Sequence, residues 1–255
     1  GIGGFHQALT NLGCVCNLAC DIDKHCCKIY KENYGLTPHP DVKKIDPDEI
    51  EDMDIICGGF PCQAFSNAGL KNGFNDPRGN LFFETARFIK AIRPKAFLLE
   101  NVPTLKSHDK GHTFEVIKDV VTNQLGYSFK YFILNSKDYG DTPQTRSRIY
   151  IVGFRSEPKW EKKHKWKICT KNFKEPSKIP LTKKIEDVLI KGNKEDKYYF
   201  NKKHPYYDEL KEKMTSYNTF YHWRRVYLRE IKSNLCPTLT ANMGTGGHNV
   251  PLYLV

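Results

Sequence analysis

Short apolar runs alternate with amphipathic segments through the first 154 residues of the chain. The runs at 54–57, 96–99 and 148–154 are short enough to be buried strands. Apolar residues recur at helical spacing at 24–34, 78–92 and 112–125. A helix at 6–12 and strands at 14–20 and 128–134 complete the predicted elements. This alternation predicts an α/β fold with a mostly parallel sheet and helices on both of its faces.

Charge is distributed unevenly along the chain. Residues 1–154 carry as many acids as bases, so the whole net charge of +11 comes from residues 155–235. Periodicity also weakens there, and regular patterns return at 236–255, which contain no Lys, Arg, Asp or Glu. We therefore expect a catalytic domain, a basic lobe suited to a polyanion, and the start of a return to the first domain. A solvated Lys-rich surface is the alternative explanation for the basic lobe.

The cysteine pattern and hydropathy restrict the class of protein. Nine cysteines, an odd number, include no pair of Cys-x-x-Cys units, so the sequence predicts no zinc site. No apolar stretch approaches the ~20 residues needed to cross a bilayer. We expect a cytoplasmic, monomeric protein in a reducing compartment, without a membrane partner.

A glycine-rich turn precedes the first predicted helix. Gly1, Ile2, Gly3 and Gly4 would allow a ligand close to the backbone at a helix start, as in nucleotide-type cofactor sites. Asp21 ends the predicted strand at 14–20, where a carboxylate can bind a ribose hydroxyl pair. Capping of the following helix is the alternative role for Asp21.

Cys62 and Glu100 follow two predicted strands. Cys62 comes after Gly58-Gly59-Phe60-Pro61, and Glu100 follows the apolar run 96–99. Parallel strands place their carboxyl ends at one edge of a sheet, where ligands bind in open α/β folds. A thiol and a partly buried carboxyl there suggest covalent chemistry with a proton donor, and the polar loop 61–80 suggests a lid. A small buried thiol and a structural ion pair are the alternatives.

Two arginines precede the last predicted strand of the first domain. Arg146 and Arg148 are two residues apart, so on a strand they share one face. Two guanidinium groups on one face suit a phosphate or a polarised carbonyl, although a pair of surface arginines would look the same in the sequence.

Together these motifs resemble the cytosine-C5 DNA methyltransferases of restriction–modification systems. The resemblance rests on the Gly1–Phe5 turn, Pro61-Cys62-Gln63, Glu100-Asn101-Val102, Gln144-x-Arg146-x-Arg148 and Thr238-Leu239-Thr240. It covers 1–154 and 236–255, and the motifs occur in the family's order. Segments from Asp76 to Glu84, from Ser107 to Thr113 and from Asn135 to Gly140 are also of the family type.

The resemblance implies a Rossmann-like methyltransferase domain, S-adenosylmethionine as methyl donor and double-stranded DNA as substrate. It implies Cys62 as the nucleophile that attacks C6 of a flipped-out cytosine, Glu100 as the group that protonates N3, and Arg146 with Arg148 as the groups that hold the base. The implied cofactor residues are Gly1, Ile2, Gly3, Gly4, Asp21, Ile22, Asp41, Val42, Pro61 and Leu81. The implied substrate-binding residues are Gln63, Ser66, Asn101, Val102, Arg224 and Arg225. A restriction endonuclease would be the functional partner.

In the family, the region corresponding to 155–235 recognises the target sequence. Residues considered for contacts with base edges are Tyr217, Tyr221, His222, Arg224 and Arg225. The tRNA-methylating branch is the alternative enzyme, although its Cys-Phe-Thr signature is missing, and a DNA-holding protein without turnover is the alternative outside catalysis. The chain lacks the family's first strand and final cofactor motif, so we expect these 255 residues to bind the methyl donor weakly or not at all.

Overall fold

The computed structural model describes residues 1–61, 81–156, 172–224, 227–240, 243 and 250–254. The chain divides into two compact units, each described separately below. The first contains residues 1–133 and 149–175, and the second contains residues 134–148 and 176–255. In the described part of the chain, no helix is long and apolar enough to cross a membrane.

The first unit begins with two helices, α1 (Gly4–Thr10) and α2 (Lys24–Tyr34). Helix α2 matches its predicted range. Asp23 caps it, because one carboxylate oxygen accepts the backbone N–H groups of His25 and Cys26 at 2.7 and 3.1 Å. Gly35 ends it in the left-handed region, with φ of 70°.

The predicted strand at 14–20 is wrong. Only Cys20 pairs with another segment, through an isolated parallel bridge to His39. Val15 is 85% exposed and Leu18 is 37% exposed, so neither apolar side chain is buried against a core. In the described chain, residues 14–19 have no neighbouring strand to complete their hydrogen bonding.

A four-stranded sheet forms the centre of the first unit. Its strands are β1 (Ile55–Gly59), β2 (Ala96–Asn101), β3 (Lys130–Asn135) and β5 (Ser147–Phe154), in the order β1-β2-β5-β3. Strand β2 pairs in parallel with β1 and antiparallel with β5. The α/β prediction is confirmed. The sequence predicted mostly parallel strands, but β5 pairs antiparallel with β2. Only residues 136–146 connect β3 to β5, and they contain no long crossover helix of the kind that parallel neighbours need.

Two helical segments pack with this sheet. They are α3 (Leu81–Ile92) and α4 (His112–Asp119), which continues into a π-helical turn at Val120–Gln124. Residues alternate between buried and half-buried along β2, so Phe97 and Leu99 enter the core with no exposed surface. They share one hydrophobic cluster with Phe82 and Ile117 from the two helices. The apolar run 96–99 is therefore a strand, as the sequence predicts, with Phe97 and Leu99 buried and Ala96 and Leu98 half-buried.

The second unit is built from short elements. They are α5 (Ser136–Tyr139), β4 (Gln144–Thr145), α6 (Tyr207–Lys213), β6 (Phe220–Arg224), β7 (Tyr227–Ile231), β8 (Cys236–Pro237) and β9 (Pro251–Tyr253). Strands β7, β6 and β9 form an antiparallel sheet in that order, and β4 pairs in parallel with β8. A small core contains Leu210, Tyr221 and Leu252.

Candidate active site

The glycine turn at the start of the chain needs glycine at one position above all. Gly3 has φ of 98°, which L side chains rarely adopt, and a side chain there would overlap the ring of Tyr34. The Tyr34 hydroxyl donates to the Gly3 carbonyl at 3.1 Å, and the Tyr34 ring stacks on His6 at 4.1 Å. By contrast, methyl groups on Gly1 and Gly4 would meet none of the described residues within 4 Å. The turn is thus fixed on its Tyr34 side and open at Gly1 and Gly4.

Asp21 lies beside this turn. Its carboxylate contacts the backbone nitrogen of Gly1, and it also accepts the Asp23 N–H at 2.8 Å. The alternative role as a helix cap is wrong for Asp21, because Asp23 caps α2. The neighbouring Ile22 is 79% exposed, and Ile2 is 56% exposed. The structure therefore brings predicted cofactor residues together, with apolar surface beside a carboxylate.

Asp41 begins a short 3₁₀ helix at Val42–Lys44. Its carboxylate accepts the Lys43 N–H at 3.0 Å, so part of its hydrogen-bonding capacity is used locally. Arg87 of α3 donates to the carbonyls of Val42 and Ile45 at 3.2 and 3.1 Å. These bonds hold the Asp41–Val42 segment against α3.

The carboxyl ends of β1 and β2 meet as the sequence predicts. Gly59 pairs directly with Glu100, and a methyl group on Gly59 would lie 3.3 Å from Oε2 of Glu100. The same methyl group would lie 3.7 Å from the Glu100 carbonyl. Glu100 is half-buried, in agreement with its expected position at the end of an apolar run. The absence of a side chain at Gly59 leaves room for this carboxylate.

Asn101 connects the two strand ends. Its side chain is 4% exposed, and its amide donates to the Phe60 carbonyl at 2.8 Å. Its side-chain oxygen accepts the Val102 N–H at 2.8 Å. Phe60 is itself buried and packs against Phe82 at a ring distance of 5.5 Å. The backbone that leads to Cys62 is thereby fixed up to Phe60.

Cys62, Gln63 and Ser66 lie outside the described residues, as does the predicted lid except for Pro61 at its start, which is exposed. Leu81 begins α3 and packs against the core cluster. Within β1, burial raises the pKa of the Cys57 thiol to about 11. Cys57 therefore stays protonated at neutral pH and is a poor nucleophile there.

Arg146 and Arg148 belong to the second unit. Arg146 lies in the break between β4 and β5 rather than within one strand, and both residues are half-buried. Arg148 donates from its guanidinium group to the Ser147 carbonyl at 2.7 Å. A shared face was expected for two arginines on a strand, but Arg146 lies outside a strand because the chain leaves the β4–β8 pairing before β5 begins.

Asn135 supports the backbone of Arg146. Its side-chain oxygen accepts the Arg146 N–H at 3.2 Å, and its amide donates to the Ser147 hydroxyl at 2.9 Å. The Ser136 N–H donates to the Arg146 carbonyl at 3.0 Å. The sequence singled out Asn135 as part of a motif but gave no sign of this role, since the contact joins residues eleven apart.

The residues considered for base contacts differ sharply in exposure. Tyr221 is 2% exposed, and its hydroxyl accepts the N–H groups of Thr215 and Ser216 at 3.1 and 2.7 Å. Tyr221 is therefore a core residue, and its selection as a base-contacting residue is wrong. Tyr217 is 68% exposed, and His222 is half-buried. Arg225 lies outside the described residues, and Arg224 is placed only by its backbone in β6.

Within the described ranges, no group of three or more His, Cys, Asp or Glu side chains could hold a metal ion. The described candidate residues of the first unit are glycines and carboxylates, and those of the second unit include two guanidinium groups. These groups suit a polar organic ligand and acid–base chemistry in an α/β fold.

Comparison with known families identifies the class of protein to which the chain belongs. A model of the C-5 cytosine-specific DNA methylases matches residues 1–248, so the chain belongs to that family. It is 44% identical to the type II methyltransferase M.Bsp6I of Bacillus sp. (strain RFL6), over 99% of this chain and 78% of that protein. It is 40% identical to M.HhaI of Haemophilus parahaemolyticus, over 74% of this chain and 54% of that protein. The resemblance found in the motifs is confirmed.

Two solved structures share the fold. A DNMT2 variant from Spodoptera frugiperda aligns with a TM-score of 0.50 and 25% identity, over 62% of this chain and 48% of that one. A protein of an E. coli prophage, assigned as a DNA modification methyltransferase, aligns with a TM-score of 0.52 and 23% identity, over 71% and 50%. The chain spans about half the length of most of these proteins.

Proposed function

We propose that this protein transfers a methyl group from S-adenosylmethionine to C5 of a cytosine within a specific duplex DNA sequence. The observation that carries the proposal is the meeting of Gly59, Glu100 and Asn101 at the carboxyl ends of β1 and β2. Asn101 fixes the Phe60 carbonyl next to the strand end that bears Glu100, so the chain enters the Cys62 segment beside a carboxylate. Family membership supports the same chemistry.

The residue types suit the reaction. C5 of cytosine is a poor nucleophile, and a thiolate from Cys62 that adds to C6 makes C5 electron-rich. Glu100 shares a proton with N3, which withdraws electrons from the ring as the carbon–sulfur bond forms. Arg146 holds the base and its carbonyl oxygen, with Arg148 beside it in sequence. C5 would then bond to the methyl group of the sulfonium donor, which would leave as the thioether S-adenosylhomocysteine. Loss of the C5 proton to water and departure of the Cys62 thiolate would restore the aromatic ring.

The reacting carbon is inaccessible within a base pair, so the cytosine must leave the helix stack. Pro61, Gln63, Ser66, Asn101 and Val102 would line its path or pocket. Asn101 is already committed to the Phe60 carbonyl and the Val102 N–H, so its part is to hold the loop entrance. Arg224 and Arg225 would contact DNA from the second unit, which corresponds in part to the proposed recognition lobe at 155–235.

The residues at the glycine turn fit the methyl donor. The donor supplies an electrophilic methyl group and carries a ribose with two hydroxyls. Asp21 presents a carboxylate beside Gly1, and Ile2 and Ile22 present exposed apolar surface for a base. Gly1 and Gly4 leave room beside the backbone at the start of α1, and Gly3 allows the turn to pack against Tyr34. Asp41, Val42, Pro61 and Leu81 complete the proposed set.

A covalent trapping experiment tests the proposal. The full-length protein is incubated with the methyl donor and duplex DNA containing 5-fluorocytosine, in which fluorine replaces the proton that must be lost. We expect a denaturation-resistant protein–DNA adduct with the wild type and with Cys57→Ser, because Cys57 is a buried, protonated thiol. Cys62→Ser should form no adduct. An adduct formed by Cys62→Ser, or its loss in Cys57→Ser alone, would show that Cys62 is not the nucleophile.

The same proposal makes the protein a cytoplasmic monomer. It would protect the recognition site of a restriction endonuclease by methylation, without required contact between the two proteins. The pairing with an endonuclease is supported by similar proteins that are named as type II methyltransferases. A digestion assay tests this part, since DNA methylated by the protein should resist one endonuclease class. Methylation of tRNA is the competing activity, and a higher turnover on transcribed tRNA than on duplex DNA would favour it.

A further inference from the structure

One histidine links the two acids that are proposed to contact the methyl donor. The Asp21 N–H donates to the His39 carbonyl at 3.1 Å, and the Asp41 N–H donates to Nδ1 of the same His39 at 3.2 Å. The His39 N–H donates in turn to the Ala19 carbonyl at 2.8 Å. Asp21 and Asp41 are far apart in the sequence, but their backbones therefore belong to one hydrogen-bonded unit beside the glycine turn.

Arg87 of α3 holds the chain that follows Asp41. Its two terminal nitrogens donate to the Ile45 carbonyl at 3.1 and 3.2 Å, and one of them also donates to the Val42 carbonyl at 3.2 Å. The Ile45 N–H lies 3.4 Å from the Val42 carbonyl, which is a long hydrogen bond. Because one guanidinium group joins the carbonyls at the start of this 3₁₀ turn and just beyond its end, the shape of segment 41–45 depends on Arg87.

Glu84 fixes the plane of the Arg87 guanidinium group. One carboxylate oxygen of Glu84 accepts from Nε and from a terminal nitrogen of Arg87 at 3.0 and 2.8 Å. Both side chains are partly buried, at 19% exposed for Glu84 and 32% for Arg87. The guanidinium carbon also lies 5.0 Å from the centre of the Phe88 ring. A guanidinium group held in this way presents its other N–H groups in fixed directions, which a lysine ammonium group cannot do.

Helix α3 gives this arrangement a rigid base. Its buried residues are Phe82, Phe83, Ala86, Phe88 and Ile89. The helix also contacts the next 3₁₀ turn along the chain, Pro47–Glu49, in which Pro47 is buried. Lys43 and Lys44, by contrast, are exposed. Arg87 therefore connects a surface segment to a helix of the core.

We propose that Arg87 is a positioning residue for the methyl donor, acting through the backbone of segment 41–45. The inference rests on the proposed function, since it takes Asp41 and Val42 as donor-binding residues. With Arg87 in place, the segment is ordered before the donor arrives, so binding does not have to supply the free energy of ordering it. Without Arg87, only a fraction of molecules hold the competent shape, and the apparent dissociation constant rises by the inverse of that fraction. The methyl-transfer step from bound donor is unaffected.

Arg93 provides a matched control for the variant Arg87→Ala. Arg93 directly follows α3, donates from its guanidinium group to the Leu125 carbonyl and lies 5.0 Å from the centre of the Tyr127 ring. Arg93→Ala thus removes the same kind of carbonyl and ring contact. Its acceptor, however, lies at the end of the π-helical turn rather than in segment 41–45.

Four measurements on the full-length proteins test the inference. Calorimetric titration with S-adenosylhomocysteine measures binding without turnover. Methyl transfer to duplex DNA at varied donor concentration separates KM for the donor from kcat. Hydrogen exchange of residues 40–50 without ligand measures the order of the segment, and thermal unfolding measures global stability.

We expect Arg87→Ala to raise the dissociation constant and the donor KM roughly tenfold, to change kcat less than about twofold and to speed exchange of residues 40–50. Arg87→Lys keeps the charge and a donor for one carbonyl but loses the fork, so its dissociation constant should rise only about threefold. Arg93→Ala should lower thermal stability and leave the dissociation constant and this exchange as in the wild type. If Arg87→Ala does not fold, Arg87→Lys provides the same comparison.

The outcomes separate this inference from the proposed function. Wild-type affinity in the Arg87 variants, an equal loss in Arg93→Ala, or a fall in kcat with unchanged donor KM would overturn the positioning role alone. A wild-type protein that binds S-adenosylhomocysteine with the expected loss at Arg87, but methylates no cytosine, would overturn the proposed activity and retain the inference. A wild-type protein that does not bind S-adenosylhomocysteine would overturn the proposed donor and the inference together.

Discussion

The side-chain amide of Asn101 donates a hydrogen bond of 2.8 Å to the backbone carbonyl of Phe60. This bond joins the ends of two neighbouring strands, one bearing Glu100 and the other leading to Cys62. Replacement by alanine would leave both the Phe60 carbonyl and the Val102 N–H without their side-chain partner. We expect Asn101→Ala to lower the free energy of unfolding by about 1–3 kcal/mol, measured by urea denaturation.

Methyl transfer should fall further in Asn101→Asp, because a carboxylate cannot donate to the Phe60 carbonyl and repels it. Asn123→Ala is the control, since the Asn123 side chain donates to the Asp119 carboxylate at the exposed end of a helical turn. Equal activities of Asn101→Asp and the wild type would show that the bond does not position the catalytic segment.

Two adjacent glycines of β1 provide a second prediction. A methyl group on Gly59 would lie 3.3 Å from Oε2 of Glu100, whereas a methyl group on Gly58 would meet no atom of the described residues within 4 Å. Gly59→Ala should displace the carboxylate by a few tenths of an ångström and lower kcat about tenfold. Gly58→Ala should leave kcat unchanged. Single-turnover methyl transfer measures both, and a similar rate for the two variants would contradict the prediction.

Asn135 should matter through the backbone of Arg146. Asn135→Ala removes the acceptor for the Arg146 N–H and the donor to the Ser147 hydroxyl, so kcat should fall. Asn135→Asp keeps the acceptor, and the Ser147 hydroxyl can rotate to donate, so most activity should return. A general loss of stability would affect thermal unfolding and kcat together. A loss in both variants would instead show that the amide itself is required.

Tyr127 gives a prediction about pH. It is 2% exposed, its hydroxyl donates to the Pro94 carbonyl at 2.6 Å, and burial raises its pKa from 10.0 to about 12. Because the pKa is higher in the folded protein, this contribution to stability is complete below pH 10 and is lost as the pH rises to about 12. Between these values the group lowers the free energy of unfolding by about 1.4 kcal/mol per pH unit.

Tyr127→Phe should therefore flatten the alkaline part of the stability profile, although it costs about 1 kcal/mol at neutral pH through the lost hydrogen bond. Urea denaturation at a series of alkaline pH values measures the slope. Tyr217→Phe, at an exposed position, should leave the slope as in the wild type. An identical slope in Tyr127→Phe would contradict the assigned burial effect.

The sequence predicted those parts of the fold that depend on local periodicity. Helix α2 and the Gly59–Glu100 meeting follow from apolar spacing and from the rule that parallel strands end at one edge. The segment at 14–20 has strand-like composition, but strand formation requires a partner, and composition alone does not provide one. Tyr221 was misread because an aromatic residue in a basic segment looks the same whether it faces a core or a ligand.

The contacts of Asn101 and Asn135 were also hidden in the sequence. Each amide bonds to backbone groups that are distant along the chain, and no spacing rule marks such a contact. Motif resemblance drew attention to both residues, but only coordinates show which atoms they join.

Both ends of the segment 180–235 are fastened to one short stretch of the second unit. The Ile179 N–H donates to the Asp138 carbonyl at 2.9 Å, and the Cys236 N–H donates to the Pro143 carbonyl at 2.8 Å. Residues 180–235 therefore form an insertion whose two ends are fixed by these hydrogen bonds, whatever the length of chain between them. Evolution or a protein engineer can exchange this insertion for another, and Asn135 will still hold the backbone of Arg146 in place.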